Sequence, residues 1–156
     1  ICFVKDDFLI ETENPKYLNL NLLTKSNSIL NTPPTFSIYV LNLVTNWMID
    51  MGGVDYFQNK SNKQSKEIYD FIDENSDALS CSVDKKYRSK SNIVFTFLKD
   101  EHNKEFVDAA KNFGIIGING HRSVGGIRVS LFNSVDEDMF KIFMKFFKKY
   151  ISELRN

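Results

Sequence analysis

Residues 120–130, GHRSVGGIRVS, bring a histidine and two arginines together among three glycines. That is a concentration of anion chemistry. Each guanidinium of Arg122 and Arg128 can hold one oxyanion through two parallel hydrogen bonds, and His121 adds a ring N–H. Gly120, Gly125 and Gly126 permit a tight loop and a close approach of ligand to the main chain. Taken together, these groups suit a small ligand bearing two anions, although the same residues in a turn are also compatible with a purely structural loop. The chain shows no Ser/His/Asp arrangement, GxSxG elbow, GxxxxGK[ST] loop or metal-ligand cluster. It therefore offers binding groups without a reacting group, and no catalytic or metal-ligating residue is assigned.

The elements that must position these groups follow from patterning. IRVSLF alternates apolar and polar, so Ile127, Val129 and Leu131 line one strand face and Arg128 projects from the other. A glycine-rich loop thus feeds a rigid strand, which fixes an arginine more accurately than a loop does. Upstream, NTPPTF at 31–36 is a proline-stiffened turn before a helix. Phe36, Val40, Leu43, Val44, Trp47, Met48 and Met51 make a wide apolar stripe, read as core packing, that Gly52 and Gly53 end. A second helix is expected over 54–75, with a charged, solvated centre. Strands are expected at 79–83 and 92–98, separated by the basic turn DKKYRSKS, itself read as a solvated loop.

Asp100 reads as the cap of a helix carrying Phe106, Val107, Ala109, Ala110 and Phe113 and closed by Gly114; His102 has no evident partner and is expected exposed. A short strand is expected at 115–118, and a last helix from Ser134 as N-cap to about Leu154, with Met139, Ile142, Phe143, Phe146, Phe147 and Tyr150 inward. At the start, residues 1–10 read as a strand with a charged turn, and 11–31 as a long irregular connection. The fold class is α+β, two layers, with helices on a small mostly antiparallel sheet.

The 156 residues suffice for one domain with a sizeable core, and 20 basic residues balance 20 acidic ones. Overall charge thus points to neither nucleic acid nor a membrane surface as partner, so any anion site is local. The two cysteines, Cys2 and Cys81, lack metal or CxxC spacing and read as reduced thiols, with cytoplasm as the expected location. A first residue other than methionine, opening on an apolar run, reads as a piece of a longer protein.

GHRSVGGIRVSLFN, together with NTPPTF followed by a Trp-containing helix and GG, resembles the phosphoserine aminotransferase family, in the class V group of fold-type I pyridoxal-phosphate aminotransferases. The likeness runs in register over essentially the whole chain. YRSKSNIVFTF is similar to the family's Asn-Arg-Ser-x-Met-Asn-Val segment, with Tyr87 and Ser91 as departures; Val129, Phe132 and Ser134 are milder ones. The resemblance implies that Arg128 binds the substrate α-carboxylate. It implies that His121 and Arg122 engage the phosphate or distal carboxylate, and that Asn31 and Thr32 reach the cofactor phosphate of the neighbouring subunit of a homodimer.

It further implies three regions. Residues 1–33 end a large domain, α/β in the whole enzyme, and form a dimer-interface loop; 34–53 make an interdomain helix; and 54–156 form the small domain. Residues 1–50 would then lack their natural partners. The family's reaction, amino-group transfer between glutamate and 3-phosphohydroxypyruvate in serine biosynthesis, uses a Schiff-base lysine that the resemblance sets before Ile1, so the chain alone is expected to be inactive. Two other readings stand beside this one: a class V aminotransferase with a different acceptor, and a non-catalytic anion-binding or interaction module keeping the fold.

Overall fold

A computed structural model describes residues 2–155, which divide into two compact units, Ile1–Met48 and Ile49–Asn156. Expectations that fall on Ile1 lie outside the described residues.

In the first unit, short turns outnumber regular elements. Residues 2–10 form no strand; Asp6–Phe8 is a 3-10 turn and Phe3 is fully open to solvent. An apolar run becomes a strand only beside another edge, and none is supplied here. The expected irregular connection contains a second 3-10 turn, Lys16–Leu18, and a helix, α1 (Leu20–Lys25). Asn19 caps α1 by accepting the Leu22 N–H at 3.0 Å. Glu11 Oε1 accepts from Asn21 Nδ2 at 2.8 Å and Lys25 Nζ at 3.1 Å.

After the two prolines, α2 (Thr35–Asp50) forms where its 3.6-residue apolar period predicts it. Its stripe is not core, however. No residue of α2 is buried, and Trp47 keeps 39% of its surface exposed. Within the first unit, a six-residue helix and two single turns offer too little apolar surface to cover a 16-residue helix.

The second unit is built on α3 (Gly53–Glu74), whose later turns bury Ile68, Tyr69 and Ile72. β1 (Leu79–Ser80) pairs antiparallel with β2 (Asn92–Phe97) in the register Leu79 to Phe97. β2 pairs antiparallel with β3 (Ile127–Ser130), Ile93 opposite Val129 and Phe95 opposite Ile127. The sheet order is β1-β2-β3. Alternation sends Ile93, Phe95, Phe97, Ile127 and Val129 to one face. There they meet α3, Phe106 and Ala110 of α4 (Glu101–Lys111), and Phe143, Phe147 and Ile151 of α5 (Glu137–Leu154). Phe147 is fully buried and stacks on Phe95 with ring centroids 4.9 Å apart. This is the two-layer α+β arrangement expected from the sequence, with every strand pair antiparallel.

Several local expectations are corrected. β1 stops at Ser80, short of Val83. Residues 115–118 form no strand: Gly117 turns the chain at φ 75°, and only Asn119 makes an isolated bridge, to Ile127. Asp100 caps no backbone N–H, because it is already helical in conformation and its carboxylate accepts from Asn103 Nδ2 at 3.0 Å. Asn103 is the working polar group at that end of α4. Its Oδ1 accepts the buried Phe97 N–H at 3.0 Å, and its amide donates to Thr96 Oγ1 at 3.0 Å.

His102 is neither unpartnered nor fully exposed; its Nδ1 donates to Glu105 Oε2 at 2.8 Å and 21% of its side chain is open. The N-cap of α5 is Asp136, accepting from the Met139 N–H at 2.8 Å, rather than Ser134. Both are capable caps; Asp136 stands where the chain enters the helix in extended conformation.

The basic turn is anchored as well as solvated. Arg88, 12% open, makes a two-pronged pair with Asp73 on α3 at 2.9 and 2.8 Å, and Lys85 approaches the same carboxylate at 2.9 Å. The Arg88 guanidinium also lies 4.7 Å from the Tyr69 ring centroid, while the Tyr69 hydroxyl donates to Ser89 O at 3.0 Å.

Candidate functional site

The glycine loop is pinned at its neck. Gly120 N–H donates to Gly126 O at 2.8 Å, and a Cβ at position 120 would stand 1.8 Å from Gly125 O, so no side chain is tolerated there. Inside this neck, Val124 and Gly125 N–H groups both donate to His121 O, at 2.9 and 2.8 Å. β3 then leaves the loop, and Arg128 N–H donates to Ile118 O at 2.9 Å, which ties the strand to the segment entering the loop.

Arg128 projects from the exposed face of β3, as alternation predicts, while Ile127 and Val129 go to the core. His121 and Arg128 line one cleft of about 370 Å³, floored by Val94 and Thr96 of β2 and walled by Ser80, Ser82 and Val83. Arg122 faces a second cleft, of about 520 Å³, against Lys104, Asp108 and Lys111 of α4, and His121 borders that one too. His121 is thus the one side chain common to both, beside the shared glycines Gly120, Gly125 and Gly126. Neither Arg122 nor Arg128 makes a side-chain hydrogen bond or ion pair among the described residues, so both guanidiniums are available to a ligand.

The imidazole of His121 is held. Its Nδ1 accepts the Ser123 N–H at 3.2 Å and lies 2.7 Å from Ser123 Oγ. Ser123 carried no assignment in the sequence; a hydroxyl two residues from a histidine in a glycine loop is the signal that marks it. Asn31 and Thr32 belong to the first unit, where both are exposed and uncommitted, with amide and hydroxyl donors of the kind a phosphate takes.

Near the start of β2, the Arg88 guanidinium beside Asp73 holds its carboxyl down at about 2. Burial pushes the Tyr69 hydroxyl up to about 12. No group of three or more His, Cys, Asp or Glu residues that could hold a metal occurs among the described residues, and no described helix is long and apolar enough to cross a membrane.

The family model for aminotransferase class-V matches residues 11–142. The chain belongs to the class-V aminotransferase family. Within that family it is 39% identical, over an alignment of 158 positions covering all of this chain, to phosphoserine aminotransferase from Bacillus cereus. It is 35% identical to a probable phosphoserine aminotransferase from Dictyostelium discoideum over 96% of the chain.

Among solved structures, phosphoserine aminotransferase from Bacillus circulans subsp. alkalophilus superposes with a TM-score of 0.90 at 35% identity, over 98% of this chain and 43% of that one. The pyridoxal-phosphate-bound enzyme from Trichomonas vaginalis superposes with a TM-score of 0.81 at 26% identity, over 89% and 40%. The chain spans about two fifths of the length of these relatives, 43% in the case of the Bacillus cereus enzyme.

Proposed function

We propose that this chain is the substrate-anion-binding part of a phosphoserine aminotransferase, a pyridoxal-phosphate enzyme that moves an amino group between glutamate and 3-phosphohydroxypyruvate. The observation that carries the reading is the likeness over the entire chain to proteins of that name, at 39% identity for the Bacillus cereus enzyme. The site supports it through its two separate cationic groups. Arg128, fixed on β3, takes the α-carboxylate with its fork; His121 and Arg122, on the loop, take the distal phosphate. A substrate held at both ends presents its Cα in one orientation. Such positioning is the contribution these residues make to rate.

Pyridoxal phosphate, when bound, supplies the electron sink for the charge that develops at Cα. The uncommitted Asn31 amide and Thr32 hydroxyl fit its phosphate, and we assign them to the cofactor of the neighbouring subunit in a homodimer. The lysine that carries the cofactor is assigned to no residue of this chain. Residues 1–33 are read as the end of the large domain with the dimer-interface loop, 34–53 as the interdomain helix and 54–156 as the small domain. Serine biosynthesis in the cytoplasm, with neither nucleic acid nor membrane as partner, completes the proposal.

Titrating the isotope-labelled chain with O-phosphoserine, serine or alanine, and following amide shifts by NMR, tests the assignment. Phosphoserine is expected to move the amides of residues 120–128 at concentrations where serine and alanine do not. Equal responses to all three would instead favour a class V enzyme with a different acceptor.

A further inference from the structure

We infer that Ser123 is a positioning residue that selects the tautomer of His121, so that the ring presents Nε2–H to the bound anion. The inference rests on the assignment of His121 to the distal anion. A backbone N–H can only donate, so the 3.2 Å contact from Ser123 N–H requires an unprotonated Nδ1. The Ser123 hydroxyl, 2.7 Å from the same nitrogen, then donates to it as well. The one ring proton of neutral His121 therefore sits on Nε2, the nitrogen the loop leaves unused.

The main chain reinforces this. The His121 carbonyl is held by the Val124 and Gly125 N–H groups, and the loop neck is closed by Gly120 N–H on Gly126 O. Ring and backbone are thus both fixed before any ligand arrives, whereas Arg122 has no side-chain partner among the described residues. The division of labour follows: His121 sets where the anion sits, and the uncommitted Arg122 guanidinium adds its charge to it.

The chain contains its own control. Its other histidine, His102, has Nδ1 2.8 Å from the Glu105 carboxylate, which can only accept, so that ring must carry its proton on Nδ1. The two histidines of this molecule are therefore expected to be opposite tautomers.

Long-range proton–nitrogen NMR on the labelled 156-residue chain, recorded where the nitrogen shifts themselves show both rings neutral, reads both tautomers in one spectrum. The expected result is protonated Nδ1 for His102 and protonated Nε2 for His121. Ser123→Ala keeps the backbone donor but loses the hydroxyl. It is expected to bring up signal from the Nδ1-protonated form of His121 and to weaken binding of inorganic phosphate about fivefold, the effect of one lost hydrogen bond. Ser123→Thr, which keeps both donors, is expected to restore the wild-type spectrum and affinity. A wild-type His121 protonated mainly on Nδ1 overturns the inference, as does an unchanged tautomer or an unchanged phosphate affinity in Ser123→Ala. Wild-type chain that has the Nε2–H tautomer but binds no phosphate refutes instead the anion-site assignment on which the inference rests.

Discussion

Replacing Asp73 by Asn removes one charge from the clamp that fastens the turn before β2 to α3, and its cost follows from geometry. Asp73 accepts both prongs of Arg88 and a further contact from Lys85, and these hold its carboxyl down from 3.8 to about 2. At about 1.36 kcal/mol per pH unit, that displacement corresponds to roughly 2.5 kcal/mol at full weight. With 32% of the Asp73 side chain open, solvent screening brings the expectation to about 1–2 kcal/mol.

The sign is set by the direction of the displacement. A carboxyl depressed in the folded state stabilises fully above the unfolded value and loses that contribution as pH falls through the folded one. Urea unfolding followed by far-ultraviolet circular dichroism should therefore show Asp73→Asn about 1–2 kcal/mol less stable than wild type at pH 7. The gap should narrow as pH falls from about 4 to about 2. A gap that stays constant over that range, or that is absent at pH 7, would refute the clamp as a source of stability.

Two further changes test the frame and the loop. Asn103→Ala leaves the buried Phe97 N–H without its 3.0 Å acceptor and should cost about 2 kcal/mol in urea unfolding; a wild-type midpoint would show that this bond does not hold the end of α4 to β2. Gly120→Ala sets a methyl 1.8 Å from Gly125 O, so the neck must open. Phosphate binding by NMR should be lost while the β2 and β3 amides keep their positions; unchanged binding would show that the neck does not shape the site.

Much of the second unit was legible because its patterns are local. The alternation of Ile93, Phe95 and Phe97, and of Ile127 and Val129, needs only the strand period, and the phenylalanine stripe of α5 needs only the helical one. Arg128 was legible for the same reason: odd and even positions of one strand face opposite ways. His102 could also have been read, since Glu105 stands three residues on, on the same helix face. Asp136 could not be told from Ser134, because either residue satisfies a helix end and the entry direction of the chain decides between them. The Arg88 clamp reaches Asp73, 15 residues earlier, and no local pattern records such a pairing.

By itself, then, the sequence determined the helical and strand periods, the glycine loop, the anion-binding residue types and the class-V resemblance. These depend on residue identity and short-range spacing alone. Only the tertiary structure decided that His121 is anchored by Ser123, that it stands between two clefts with Arg128 facing one and Arg122 the other, and that no residue of the α2 stripe is fully buried. A hydrogen bond's direction, the side from which a cleft is walled and the burial of a helix face all depend on which distant surfaces meet. Spacing along the chain leaves that open, and packing resolves it.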